Sequence, residues 1–166
     1  VVQTSGRALR MTGPAIREAS RRMDVLMQNL LRYTQTLFIH MAQSSACIRH
    51  HTLDQQLARW LLLNHDRLGG EALQITQERI ANTLGVRRES VTAGALKLQQ
   101  AGVIRYSRGH ITILERDGLE DRCCECYGVV KGAYDRLANA CEGTTTLTSL
   151  PVHDMTVCKQ GPMMRA

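Results

Sequence analysis

The stretch from Asp24 to Arg49 contains neither proline nor glycine, so nothing in it halts a helix. A helix of that length spans roughly 40 Å, more than a small domain needs to cover its core. Within it Leu26, Leu30, Tyr33, Leu37 and Met41 recur at alternations close to a heptad, with Met27, Leu31, Thr34 and Phe38 alongside. A seam this broad on a helix this long predicts a dimerisation helix over 24–51. Leu26, Leu30, Tyr33, Leu37 and Met41 are its expected symmetric contact, in preference to an ordinary core helix.

The flanks are organised around that helix. VVQTSGRALRM alternates apolar and polar residues like a strand separated from its partners, and an isolated strand is not stable. Residues 1–23 therefore read as the remnant of a larger N-terminal domain and a connector, AIREASRR forming a short helix after Gly13-Pro14. On the other side His50-His51-Thr52 predicts a hinge, and Asp54 is placed to cap a helix over QQLARWLLLNHDR, with Trp60 as a core anchor. Leu68-Gly69-Gly70 ends that helix, and ALQIT is a short strand.

From Thr76 the spacing becomes specific. TQERIANTLG predicts a helix capped by Thr76, and a second helix follows over RRESVTAGALKLQQ, ending near Gly102. Ala81 is small enough for two helices to cross closely, Gly85 tolerates the positive φ of a tight turn, and Val91 drops into the joint while Val86 plugs the turn. This is the pattern of a helix-turn-helix. Its second helix opens on Arg87, Arg88, Glu89 and Ser90. Arginine binds guanine edges in bidentate fashion and glutamate accepts from cytosine, so this first turn suits a major groove. VIRYSRGHITIL then predicts two short strands flanking Ser107-Arg108-Gly109, a wing whose tip offers Arg108 and His110 to a phosphate backbone. A net charge of +6 fits a polyanionic partner without deciding the matter.

Taken together, DVLM opening the long helix, LQITQERIANTLGVRRESV across the reader and AGVIRYSRGHITIL across the wing resemble the Crp/Fnr superfamily of transcription regulators. The resemblance reaches from Val1 to about Leu114. It implies a symmetric dimer, a palindromic operator on double-stranded DNA, an N-terminal β-roll effector domain upstream, and RNA polymerase as a candidate partner. It also implies base reading by Arg88 and Glu89, with Arg87 next in register, and backbone contacts by Thr76, Gln77 and Ser90. Where cyclic-AMP-responsive members have a second base-reading arginine, this chain has Ala93, which implies a different operator. Gly94 and Ala95 replace larger apolar anchors, which implies a looser recognition helix. No cofactor is assigned to this chain, and the effector of the upstream domain is not identified.

The six cysteines do not form the framework of a secreted scaffold, because Cys123, Cys124 and Cys126 crowd into one helical-looking segment. That segment predicts a helix over 117–140 capped by Asp117, lined by Leu119, Cys123, Cys126, Val130, Tyr134 and Leu137. Iron–sulfur members of the superfamily hold their clusters in the sensor half. Cys47, Cys141 and Cys158 are scattered along the chain, so no metal is expected and the thiols read as small buried hydrophobes. Residues 141–166 lack periodicity and read as a flexible tail.

The expected fold is mainly α with a small β wing, a long dimerisation helix leading into a winged helix-turn-helix over 52–116. The expected function is a sequence-specific DNA-binding transcription regulator acting as a homodimer. A winged-helix protein-interaction module dimerising through the long helix is the alternative, disfavoured by the basic reader and wing tip. No nucleophile–base set or phosphate-binding glycine loop points to an enzyme. No stretch is long and apolar enough for a bilayer and no leader pattern is present, so a cytoplasmic location is expected.

Overall fold

Thr12 accepts a bond from the Ala15 amide and Pro14 follows in the first turn, so the chain enters helix α1 (Gly13–Arg22) on a capped start. A computed structural model describes residues 8–70, 72–142 and 153–155. After α1 comes the long helix α2 (Asp24–His50), then α3 (Leu53–Arg67), strand β2 (Leu73–Gln74), α4 (Gln77–Leu84) and α5 (Arg88–Gln100). Strands β3 (Ile104–Ser107) and β4 (His110–Ile113) are followed by α6 (Arg116–Glu120) and α7 (Cys126–Glu142). The outermost strands are β1 (Ala8–Arg10) and β5 (His153–Met155). The expected fold class holds: the chain is mainly helical, a long helix leads into a helix-turn-helix, and β2, β4 and β3 form a small antiparallel sheet.

The core gathers around α3, whose Leu57, Ala58, Leu61 and Leu62 are fully buried together with Ile80, Val91, Ile104, Ile111, Leu119 and Val130. Trp60 lies in this cluster, as its anchoring role requires. The cap of α3 is Thr52, not Asp54. Thr52 and Gln55 form a reciprocal capping box, which satisfies two start-of-helix amides with one pair of side chains. Asp54 instead bonds Lys97 of α5 at 2.7 Å.

Two further expectations are corrected. The helix expected over 117–140 is broken between α6 and α7, and Cys123 and Cys124 lie in the break. Glu115, not Asp117, precedes α6 as its cap residue. The break turns Cys124 inward against α2, which a continuous helix through Cys126 would not do. The tail carries β5, which pairs antiparallel with β1, Leu9 opposite Asp154, so β1 has a partner. The remainder of 141–166 and of VVQTSGR lies outside the described residues, except that α7 reaches Glu142.

Within the expected seam of α2, Tyr33 and Met41 are exposed. Leu26, Leu30 and Leu37 are half-buried within the chain, because α2 packs along α7 and against α1. The exposed apolar row runs through the flanking Met27, Leu31, Thr34 and Phe38 and on through Met41, Ser45 and Ile48, spaced by fours and threes throughout. Leu31 and Phe38 are 61% and 64% exposed. Its two hydroxyls bond inward, Thr34 to the Leu30 carbonyl and Ser45 to the Met41 carbonyl, so the row carries no unmet donor. Tyr33 is exposed beside it.

On the other side of α2, His40 stacks edge-on against Tyr134 of α7, with Nδ1 3.2 Å from the tyrosine hydroxyl and Arg67 close by. Burial, and then the charges of Arg67 and Arg59, hold the imidazole below its ordinary value of 6.5. The folded chain therefore keeps His40 neutral where the unfolded chain takes up a proton. The corresponding stability is present above the unfolded value and is lost as pH falls below about 6.5. In urea titrations, His40→Gln should lose less stability than the parent between pH 7.5 and 5.5; parallel losses would contradict this.

Candidate nucleic-acid interface

The joint between α4 and α5 is built as the spacing requires. Thr76 caps α4 through the Arg79 amide, Ala81 and Val91 are buried at the crossing, and Gly85 closes α4 in the left-handed region at φ 68°. Val86 is half-buried over the turn. Arg87 is the cap residue of α5 in extended conformation, and Arg88, Glu89 and Ser90 form its exposed first turn. Among the described residues no side chain caps this end of α5, so the helix start faces outward with its positive dipole end free.

Lys97 pairs with Asp54, Arg116 with Asp66 and Glu120, and Lys131 with Asp135. Among the described residues Arg87, Arg88 and Arg108 form no ion pair, and neither does Glu89. Gln77 is half-buried and serves as a brace: its Oε1 accepts the Thr92 hydroxyl at 2.6 Å, tying α4 to the reader. Thr92 was not singled out from the sequence, although its place one turn after Arg88 marks it.

The wing is tighter than expected, because Ser107 belongs to β3 and pairs with His110. The turn is Arg108-Gly109 alone, with φ of 47° and 82°. Two successive positive φ angles are the mark of the two-residue hairpin turn whose twist matches the strands, and its first position favours Asn, Asp or Gly. An arginine there is strained by roughly 1–2 kcal/mol. The Ile75 amide donates to the Gly109 carbonyl at 2.8 Å, which draws the wing tip to the start of α4. Thr76, Arg79, Asn82 and Arg108 consequently line one concavity of about 850 Å³. Arg79 and Asn82 were missed in the sequence, where they read as ordinary polar positions of α4. His110 is exposed at the base of the wing, opposite Gln74 of β2.

The helix-turn-helix is not loosely packed at Gly94. A Cβ there would lie 3.1 Å from Leu57 and 3.2 Å from Asp54, so the missing side chain is what lets α5 lie closely on α3. Ala95 is buried beside it.

Residues 55–122 match the Crp-like helix-turn-helix domain model. The segment is a Crp-like helix-turn-helix domain. A transcriptional regulator of the Crp/Fnr family from Eubacterium rectale is 30% identical, with a TM-score of 0.50; the match covers 64% of this chain and 49% of that one. FixK2 from Bradyrhizobium japonicum shares the fold at 17% identity and a TM-score of 0.61, over 67% of this chain and 58% of its own. The chain thus spans about half the length of these structures. No curated protein matches it. No helix among the described residues is long and apolar enough to cross a membrane.

Behind the Crp-like domain Cys47 is not isolated from the later cysteines, while the side chains of Cys141 and Cys158 lie outside the described residues. Cys47 at the end of α2 meets Cys124 at 3.5 Å, with Cys126 and His51 beside them. The helical pitch of α2 and the break before α7 bring together residues that sequence distance separates. Burial and the neighbouring Cys124 push the Cys47 thiol up to about 12. Burial likewise raises Cys124, and raises Cys123 to about 11.

One measurement isolates the packing of the reader. Gly94→Leu should lower stability by about 1–3 kcal/mol in urea unfolding, because the added side chain must displace Leu57 and Asp54. Ala93→Leu, on the exposed side of α5, should leave the midpoint nearly unchanged. Equal effects would mean that the crossing is not close.

Proposed function

We propose that the chain is the dimerising and DNA-reading part of a sequence-specific transcription regulator, acting as a homodimer on a palindromic operator. The observation that carries this reading is the exposed, unpaired first turn of α5 beside a wing tip holding an arginine at positive φ. Charge left unpaired on a helix start suits base edges and phosphates, and strain retained at a turn points to a role outside folding. Arg88 and Glu89 read bases, with Arg87 flanking them. Thr76, Gln77, Ser90, Arg108 and His110 serve the backbone, joined by Arg79 in the concavity at the wing.

The dimer is supported by the exposed row of α2. Met27, Leu31, Phe38, Met41 and Ile48 present a heptad stripe to solvent, with Leu30, Leu37 and Tyr33 at its margins. A second copy laid along the same stripe buries it on both chains and sets two readers on one face of the duplex. Half-sites are then expected one helical turn apart, about 34–36 Å.

DNA fragments selected by the full chain should be pseudo-palindromic. On the selected site, Arg88→Ala should cost about 1–3 kcal/mol and relax preference at one base per half-site. Arg108→Asn removes the charge yet suits the turn, so it should weaken specific and random DNA alike and flatten the salt dependence. Identical behaviour of the two variants would refute the division of roles. Leu31→Glu and Phe38→Glu should each yield monomer in sedimentation; a persistent dimer would place the interface elsewhere.

A further inference from the structure

We propose that Cys47, His51, Cys124 and Cys126 form a tetrahedral zinc site that fastens the end of α2 to the segment leading into α7. The four donor atoms all lie within 4.8 Å of one another. Two of the separations are 3.5 Å, Cys47 Sγ to Cys124 Sγ and Cys126 Sγ to His51 Nδ1. Zinc bonds of about 2.3 Å to sulfur and 2.0–2.1 Å to nitrogen give a tetrahedron with edges of roughly 3.5–3.8 Å. A single ion fits that space, whereas an iron–sulfur cluster spreads its thiolates over several irons and needs wider spacing. Three thiolates and one imidazole are a closed structural set for zinc, with no position left open for a substrate.

The surroundings are built for such an ion. The Nε2 atom of His51 lies 3.2 Å from the Glu125 carboxylate. A proton held on Nε2 by that carboxylate leaves the Nδ1 lone pair aimed at the thiols, the arrangement by which a second residue orients a ligating histidine. Gln43 donates from Nε2 to Cys126 Sγ at 3.0 Å, an N–H bond suited to a thiolate. Arg59 is 5% exposed, has no carboxylate partner among the described residues, and its Nε is buried without a bond. Among the described residues its guanidinium reaches only the Ser44 hydroxyl, at 3.4 Å, and its field favours the Cys47 thiolate. A buried cation without an anion is costly. Three thiolates around a divalent ion leave one net negative charge, which Arg59 balances. Binding releases three thiol protons and needs no oxidant, and the metal repays the energy of ionising buried thiols.

Cys123 supplies the internal control. It adjoins Cys124 but is outside the four-residue set, its sulfur turned to the Cys124 carbonyl. The full chain, purified under reducing conditions and dialysed, should hold one zinc per chain by elemental analysis. Cobalt(II) in its place should give the visible ligand-field bands of a tetrahedral site and thiolate charge-transfer absorption, both displaced by zinc. Cys47→Ser, Cys124→Ser and Cys126→Ser should each lose stoichiometric metal, and Cys123→Ser should keep it. Glu125→Gln should still bind, about 10–100-fold more weakly. The cobalt spectrum of the unaltered chain tests the site even if a serine variant fails to fold. Absence of that spectrum in fully reduced protein, equal loss in Cys123→Ser, or a Cys47–Cys124 disulfide in chain isolated without reductant would each overturn the proposal.

Discussion

From Gln56 to Asn64 every residue of α3 is buried, a condition few helices in a domain of this size meet. The apolar members enter the core, and each polar one makes at least one bond to its surroundings, although Arg59 Nε is left without one. Gln56 donates to the His51 carbonyl, Arg59 to Ser44, and Asn64 to the Trp60 carbonyl. Because α3 is covered on every side, each neighbouring element is placed by its contact with it. The reader α5 crosses it at Gly94, while α6 and α7 lie against other faces. Arg116 and Tyr127 both bond Asp66 near the end of α3, which joins α6 and α7 to the same support. The position of Arg88 thus depends on the packing of α5 against α3.

The local chemistry of the helix-turn-helix was legible because each requirement is met by one residue type at one spacing. A left-handed turn needs Gly85, a close crossing needs Ala81, and the joint needs Val91. The wing was legible for the same reason, apart from the length of its turn. Registers that depend on partners far along the chain were not. The α2 periodicity fits two adjacent rows equally well, and only the packing of α7 decides which row stays exposed. The glycine at 94 looks like a lost anchor until the distance to Leu57 is known. Cys47 and Cys124 are 77 positions apart, and no spacing rule relates them. The break at 121–125 was hidden because its residues are not strong helix breakers. It exists because tertiary contacts draw Cys124 inward.

The distribution of charge follows the same division. Lys97, Arg116 and Lys131 pair with carboxylates, whereas among the described residues Arg87, Arg88 and Arg108 do not. Surface pairs contribute little stability, so pairing Arg88 or Arg108 would add little to folding while, on the proposed reading, removing a contact for phosphate or base. The strained φ of Arg108 points the same way. Asparagine would fit that turn better, and what arginine adds is charge and reach.

The hinge between α2 and α3 is where these constraints meet. A dimer that reads two half-sites fixes the separation of its readers through the angle between the dimer helix and the DNA-binding domain. A few degrees at His51 would move α5 by roughly 1–2 Å across a lever about the length of α3. A flexible joint would lose binding energy as the readers searched for register, so rigidity there contributes to affinity. Three devices act at this point. The Thr52–Gln55 capping box fixes the start of α3, the Gln56 amide holds the His51 carbonyl, and His51 itself belongs to the thiol cluster. On the proposed metal reading, the ion ties the last turn of α2 to α7, which in turn packs on α3, closing a triangle around the hinge. Loss of zinc would then loosen the relative orientation of the two readers while leaving each helix-turn-helix folded, because Ala81, Gly85, Val91 and the α3 core lie outside the cluster.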